Sequence, residues 1–337
     1  IEDLTFAEEH LPLRSEYSAS DEGRINKGAA KILFGKVYLT KGDFQKAKDK
    51  LAEVVEHESE YGFGLHKDYH ANWLRDTEAG IEAVLYIEYK EPPFQHNGEM
   101  ALAGPKYSIP GSLGISALNE ADIPTQELYD QFDNRDLRKK TNFKTEFAHL
   151  KTGEILKSSI PLSGKFWVEG LETGDRCDVN MHIIRYADAI LMYAEALNEV
   201  GESTKALAML NRIRERAFGD DSGNFKPMSK DEFRTAILNE RRLEFPHEGH
   251  RWFDLVRTGT FIQRMKEHSA YEAKVAEANK TEIAQNIKEH MILMPIPQSE
   301  IDLNPNLVQN AGYYKIVIYN WGSNCYPGYY TSPGQTS

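Results

Sequence analysis

Residues 237–259, ILNERRLEFPHEGHRWFDLVRTG, contain four arginines, three glutamates, one aspartate and two histidines. Such groups could serve as general acids and bases, or as metal ligands. Opposite charges three or four residues apart also pair along a helix, and the planar guanidinium group suits carboxylates. A catalytic cluster more often holds an unbalanced, desolvated group, whereas these charges nearly cancel. We therefore predict a structural arginine–carboxylate lock between helices, whose disruption destabilises the fold.

Other catalytic and metal patterns fit the sequence poorly. His247 and His250 are three residues apart, one short of the HExxH zinc pattern, and the proline and glycine around them disrupt the helix it needs. Ser112 in PGSLG lacks the G-x-S-x-G spacing of a nucleophile elbow. The acidic turn at Asp220 is too short for an EF-hand loop. We expect no catalytic residue, no metal ligand and no cofactor.

Composition limits the class of partner. The chain has 337 residues, 40% hydrophobic, with a formal charge of −12, which argues against nucleic acid and anionic membranes as partners. No run is apolar enough to span a bilayer. The opening IEDLTFAEEHLP has neither an initiator Met nor the basic and apolar parts of a signal peptide. We expect that it is the interior of a longer chain.

Two helical hairpins are predicted, over residues 24–57 and 183–218. Apolar residues recur at helical spacing on both sides of Gly42 and again of Gly201. Aligning the two glycines superposes four pairs of residues: Ala30 with Ala189, Phe34 with Tyr193, Ala47 with Ala206, and Leu51 with Leu210. Small residues at the crossing allow close packing, which indicates a tetratricopeptide-type helix pair used twice and not in tandem.

The segment between the hairpins has a different character. AVLYIEY, residues 83–89, alternates and is rich in β-branched and aromatic residues, so we predict a short strand. Residues 91–125 are rich in Gly, Pro and Ser, and 141–180 read as irregular too. We therefore describe 91–180 as a loop-rich insertion, and loops of this length are often functional.

Three motifs resemble the SusD/RagB family of Bacteroidetes surface proteins. They are RYADAILMYAEALNE (185–199), NERRLEFPHEGHRWFDLVRTG (239–259) and MPIPQSEIDLNPNLVQNAGY (294–313), and GRINKGAAKILFGKVYLTKGDFQKA (23–47) looks like a helix pair of the same family. The resemblance implies a mainly α fold in which tetratricopeptide-like helix pairs support a loop-rich face with a few short strands. It implies one SusD-like domain over 1–337 that lacks the family's N-terminal part. Residues 313–337 are an atypical aromatic tail, about whose role the resemblance is silent.

The resemblance also implies a function. Such a protein is lipid-anchored to the outer membrane and faces outward, and the anchor lies outside this chain. It captures oligo- or polysaccharide without cleaving it and passes it to a SusC-like TonB-dependent transporter. Two alternatives remain open: capture of peptide or glycopeptide by the same architecture, and a helical-repeat scaffold that only bridges proteins.

We interpret the family's motifs as scaffold, so binding residues must be chosen on chemical grounds. Sugar capture needs flat aromatic faces against the C–H side of a pyranose ring, with polar groups for its hydroxyls. Irregular segments supported by helices are the expected place. Our candidates are Phe94, His96, Asn97 and Tyr107 in the long loop, Trp167 before the second hairpin, and Trp321 in the tail. We expect Trp73 to lie in the core instead.

Overall fold

The computed structural model describes residues 1–90, 97–109, 113–275 and 286–313. The chain forms two compact units, Ile1–Thr260 and Phe261–Ser337. The single domain expected over 1–337 stays a prediction. The first unit contains helices α1 (Glu2–His10), α2 (Lys27–Thr40), α3 (Phe44–Val55), α4 (Glu58–Tyr61), α5 (Glu99–Ala103), α6 (Gln126–Asp130), α7 (Lys139–Asn142), α8 (Tyr186–Glu199), α9 (Ser203–Phe218), α10 (Lys230–Glu244) and α11 (His250–Arg257). Its strands are β1 (Ala83–Ile87), β2 (Phe143–Ala148), β3 (Ile155–Ser163) and β4 (Met181–Arg185).

Helices α2 and α3 form the first hairpin, within the predicted range 24–57. The side chain of Asn26 accepts a hydrogen bond from the Ala29 amide at 3.0 Å and caps α2. Asp43 caps α3 in the same way, after Gly42 reverses the chain with a φ of +76°. The two helices approach so closely that a Cβ on Gly35 would lie 2.5 Å from Leu51 Cγ.

The second hairpin, α8 and α9, provides the centre of the core. Helix α8 is buried along nearly its whole length and contacts α3, α9 and α10. The alanines at the crossings, Ala189, Ala196 and Ala206, are fully buried. Gly201 closes the turn with a φ of +90°, as Gly42 does in the first hairpin. The two helix pairs therefore bury their apolar faces in one shared core.

Two small antiparallel sheets lie beside the hairpins. Strand β1 pairs with β4, and β4 runs directly into α8, which places Arg185 at the entrance to the core. Strand β1 lies within the predicted strand 83–89. The second sheet, β2 with β3, falls in the stretch 141–180 that the sequence led us to expect as irregular. That expectation is wrong for 143–163, because the alternating pattern of β3 is carried partly by lysine and serine.

The second unit contains α12 (Phe261–Val275) and α13 (Gln298–Leu303) among its described residues. Gln309 ties the extended segment before α13, because its side chain accepts from the Ile296 amide and donates to the Ile296 carbonyl, each at 2.8 Å. The ring of Tyr313 packs edge-on against His290. Residues 314–337, most of the predicted aromatic tail, lie outside the described residues. No helix in the described part of the chain combines the length and apolar character needed to cross a bilayer.

Candidate functional site

The dense charges of the opening segment lie inside the first unit, where three arginines converge on Glu244. The distances from its carboxylate oxygens are 3.0 Å to Arg138 Nη1, 3.0 Å to Arg185 Nη1 and 2.5 Å to Arg216 Nη2. Glu82, from just before β1, lies 2.6 Å from Arg185 and 2.9 Å from Arg216. Burial of these side chains is nearly complete. Residues from five separate parts of the chain thus meet at one point.

The cluster extends in two directions. Glu248 joins Arg185 Nε at 2.7 Å to Lys165 Nζ at 2.5 Å. Arg138 also contacts Asp136 at 2.7 Å. The described members balance in charge, since the cations Arg138, Lys165, Arg185, Arg214 and Arg216 face the carboxylates Glu82, Asp136, Glu240, Glu244 and Glu248. We call this set the central ion network.

The electrostatics of the central ion network favour the charged forms of its carboxylates. Burial alone would raise the pKa of Glu244, but the guanidinium groups of Arg216, Arg185 and Arg138 lower it to about 2. The pKa of Glu248 also lies well below its usual range, because the charges of Arg185 and Lys165 outweigh the effect of burial. Burial lowers the pKa of Lys165 to about 8. Its ammonium lies over the ring of Trp73, 4.6 Å from the centroid, so this tryptophan belongs to the core as predicted.

A second buried set of ion pairs joins α2, α8, α10 and α11. Asp188 accepts from Arg241 at 2.7 Å and from Lys36 at 2.8 Å. Arg241 reaches on to Asp254 at 2.8 Å, and Arg257 contacts the same carboxylate at 2.9 Å. These contacts link helices to one another and occupy both oxygens of Asp188 and of Asp254. The predicted arginine–carboxylate lock is confirmed, and the interior has no free acid–base pair among these groups.

The dense segment contains only about half of the lock. Glu240, Glu244, Glu248, Arg241 and Asp254 come from the dense segment, while most of their partners come from far away in the chain. Arg185 precedes α8 and Arg138 precedes α7, positions that carry no periodic signal.

Among the predicted binding residues that the structure describes, Tyr107 is the most exposed, with 74% of its surface accessible. Its loop is fixed by one carboxylate oxygen of Glu120, which accepts hydrogen bonds from the amides of Lys106, Tyr107 and Ser108 at 2.7, 2.9 and 2.8 Å. Partial burial would raise the pKa of Glu120, but these bonds, led by those from Ser108, lower it. The loop therefore holds an aromatic ring toward solvent on an ordered support.

Trp167 is half-buried and already has several neighbours. Its ring packs edge-on against Phe147 at 4.6 Å, and its indole N–H donates to Glu169 at 3.0 Å. The ammonium of Lys144 lies 5.3 Å from its ring centroid. Trp167 packs against the same small apolar cluster that contains Ile109, two residues beyond Tyr107. Trp167 therefore packs against a cluster whose member Ile109 lies close to Tyr107 in the chain.

Asn97 has a structural environment. It is 2% exposed, its side-chain nitrogen donates to the Val179 carbonyl at 2.9 Å, and its side-chain oxygen accepts from the Glu99 amide at 2.8 Å. A ligand would have to displace one of these bonds, so the geometry favours packing over recognition. Phe94, His96 and Trp321 lie outside the described residues.

Two surface cavities stand out in the first unit. One, of about 230 Å³, lies between Arg14, Glu22, Arg24 and Tyr86, and its arginines contact Glu22 and Asp21. The other is an open groove of about 450 Å³. It is bounded by α6, α7 and β2 and presents Tyr129 and three lysines, which sequence reasoning did not single out. Within the described ranges, no three His, Cys, Asp or Glu side chains are grouped to hold a metal ion.

Comparison with known proteins identifies the class. Residues 164–313 match the family described as the SusD family. The chain is 30% identical to SusD-like protein P2 of Formosa agariphila over 347 residues, which is 93% of this chain and 64% of that relative. Over 40% of this chain and 22% of the relative, it is 31% identical to the starch-binding protein SusD of Bacteroides thetaiotaomicron.

The solved structures agree with this class. A SusD homolog from Bacteroides thetaiotaomicron superposes with a TM-score of 0.75 at 25% identity, covering 93% of this chain and 69% of that one. The predicted α-rich fold with helix pairs and short strands is confirmed. The predicted resemblance to the SusD/RagB family is confirmed by the match of residues 164–313 to that family. The chain spans somewhat less than two thirds of the length of SusD-like protein P2.

Proposed function

We propose that this protein binds oligo- or polysaccharide at the cell surface without cleaving it. The observation that carries the proposal is the SusD family match, together with the similarity to a relative named as a starch-binding protein. The interior geometry supports the absence of catalysis, because the buried carboxylates pair with cations that hold them ionised. Recognition is then left to exposed irregular segments around the core.

Tyr107 is the first residue that we assign to this recognition. A pyranose presents a flat C–H face, which packs well on an exposed aromatic ring. The hydrogen bonds from residues 106–108 to Glu120 fix the loop before any ligand arrives. Binding therefore requires little additional ordering of the chain, which improves affinity. Trp167 packs against the apolar cluster that contains Ile109, two residues beyond Tyr107, and is the second candidate.

Affinity electrophoresis and isothermal titration against a panel of polysaccharides test the proposal. We expect at least one saccharide to bind and to be recovered uncleaved. Tyr107→Ala should weaken its binding about fivefold, the loss expected for one aromatic stacking contact of about 1 kcal/mol. Phe253→Ala is the matched control, since Phe253 is a 67% exposed aromatic residue on α11, and it should leave affinity unchanged.

Failure to bind any saccharide would contradict the proposal. Binding of oligopeptides in place of saccharides would favour the alternative of peptide capture. Release of reducing ends by the pure protein would show catalysis and overturn the non-enzymatic assignment. Equal losses of saccharide affinity in Tyr107→Ala and Phe253→Ala would show that Tyr107 is not part of the binding site.

The delivery step is the second part of the proposal. A SusD-like protein held outward on the outer membrane by a lipid anchor outside this chain would pass its ligand to a SusC-like TonB-dependent transporter. The family match supports this role. Affinity purification of the full-length protein from detergent-solubilised outer membranes should recover such a transporter. Recovery of the protein alone, with bound saccharide, would separate glycan binding from delivery.

A further inference from the structure

The groove of about 450 Å³ bounded by α6, α7 and β2 carries an excess of positive charge. Three lysines line it, Lys139, Lys140 and Lys144, against two acidic residues, Asp136 and Glu146. This local excess contrasts with the formal charge of −12 on the whole chain. We call it the lysine groove.

The acidic residues of the lysine groove do not neutralise its lysines. The carboxylate of Asp136 is buried and contacts the guanidinium group of Arg138 at 2.7 Å. Glu146 pairs with Lys157 across the strands at 3.0 Å. Lys144 has its own carboxylate, that of Glu169. In the described part of the chain, the ammonium groups of Lys139 and Lys140 form no ion pair, so their charge remains available to a ligand.

The groove also holds one of its cations, Lys139, in place. The ammonium of Lys139 donates to the Phe132 carbonyl at 3.3 Å and to Asn134 Oδ1 at 3.0 Å, and it lies 4.5 Å from the ring centroid of Tyr129. Tyr129 in turn packs edge-on against Phe143 in the groove wall. A lysine fixed in this way loses little conformational freedom when an anion binds. The arrangement is thus ready to receive negative charge.

Lys144 connects the lysine groove to the candidate binding residue Trp167. Its ammonium lies over the indole ring at 5.3 Å and also contacts Glu169, the acceptor of the indole N–H. A saccharide bound beside Trp167 could therefore extend into the groove. The groove is lined by cationic and aromatic side chains in close succession, a combination that suits a charged sugar better than a neutral one.

We propose that the lysine groove binds the carboxylate or sulfate groups of an anionic saccharide. This proposal rests on the proposed function and names the class of glycan. The lysine ammonium is a compact charge with rotatable donors, so it can donate hydrogen bonds to either a carboxylate or a sulfate group. A nucleic acid is disfavoured as the anion because the remainder of the chain would repel a long polyanion.

Paired probes that differ only in charge test the proposal. Dextran sulfate is compared with dextran for sulfate, and polygalacturonate with its methyl ester for carboxylate, by isothermal titration with the purified protein. We expect binding of at least one anionic probe, weaker binding of its neutral counterpart, and a decline in affinity with added NaCl. The double variant Lys139→Gln/Lys140→Gln should lower the affinity for the anionic probe about tenfold.

The matched control is Lys41→Gln/Lys226→Gln, which removes the same charge from two exposed lysines outside the groove. It should leave affinity unchanged, and thermal unfolding should show both double variants folded. Equal binding of an anionic probe by wild type and Lys139→Gln/Lys140→Gln would overturn the assignment to the groove. Binding of neutral probes alone would show that the ligand is not an anionic saccharide, and the proposed function would still hold. No binding of any glycan would instead contradict the proposed function itself.

Discussion

At the scale of single residues, Glu244 shows why a dense set of charges need not be an active site. Its two carboxylate oxygens contact three guanidinium groups, and the side chain has no exposed surface. Removing two opposite charges from water together is tolerable only when their hydrogen bonds are satisfied. The pKa of about 2 means that the carboxylate is ionised at neutral pH and is not a proton donor.

Glu244→Gln should therefore damage the fold. Loss of the negative charge leaves Arg138, Arg185 and Arg216 under-compensated in the interior, at a cost of about 3–5 kcal/mol in the free energy of unfolding. Urea unfolding measures the loss. The control Glu60→Gln changes an exposed glutamate and should stay within about 0.5 kcal/mol of wild type. Unchanged stability combined with abolished saccharide binding would instead make Glu244 a functional residue.

At the scale of elements, the sequence was informative where the signal is local. The stops at Gly42 and Gly201 and the periodic apolar faces define both hairpins, because helix formation depends on residues three and four apart. Strand β3 depends on its partner β2 and on the loop at Ser108, neither of which a local pattern reveals. The partners of Glu244 arise only from tertiary contacts, so they could not be predicted. The lysines of the groove lie close together in the sequence, but the groove that they line exists only in the folded chain.

The close crossing of α2 and α3 gives a prediction at this scale. In Gly35→Ala the new Cβ would meet Leu51, which is fully buried and cannot move freely. Overpacking should cost about 1–3 kcal/mol, partly offset by the better helix propensity of alanine, about 1 kcal/mol. Gly98→Ala is the control, since nothing lies within 4 Å of its Cβ position. If both variants unfold at the same urea concentration, the proposed close contact is absent.

At the scale of the whole molecule, two buried histidines make stability depend on pH: His250, beside the second set of ion pairs, and His182 in β4. Burial lowers the pKa of His250 to about 4 and that of His182 to about 4, from 6.5 in an unfolded chain. Between these values the unfolded state binds more protons than the folded state, so the free energy of unfolding falls as the pH falls from 6.5 to 4. Below pH 4 the free energy of unfolding falls further, because the pKa of Glu244 is about 2 in the folded chain and lower than in the unfolded chain.

Urea unfolding at pH 7, 5.5 and 4 should therefore show a steady decline in the free energy of unfolding, about 3 kcal/mol for each buried histidine. The ring of His250 packs on Phe245 and faces the ion pairs that Asp188 makes with Lys36 and Arg241. Protonation of His250 therefore adds a positive charge where the existing charges are already paired. His250→Asn should make the decline shallower, whatever its effect at pH 7. His57→Asn, at an exposed histidine, should leave the slope as in wild type. Parallel curves for wild type and His250→Asn would mean that this histidine takes up its proton equally in the folded and unfolded chain, and that the interior around α11 is open to water.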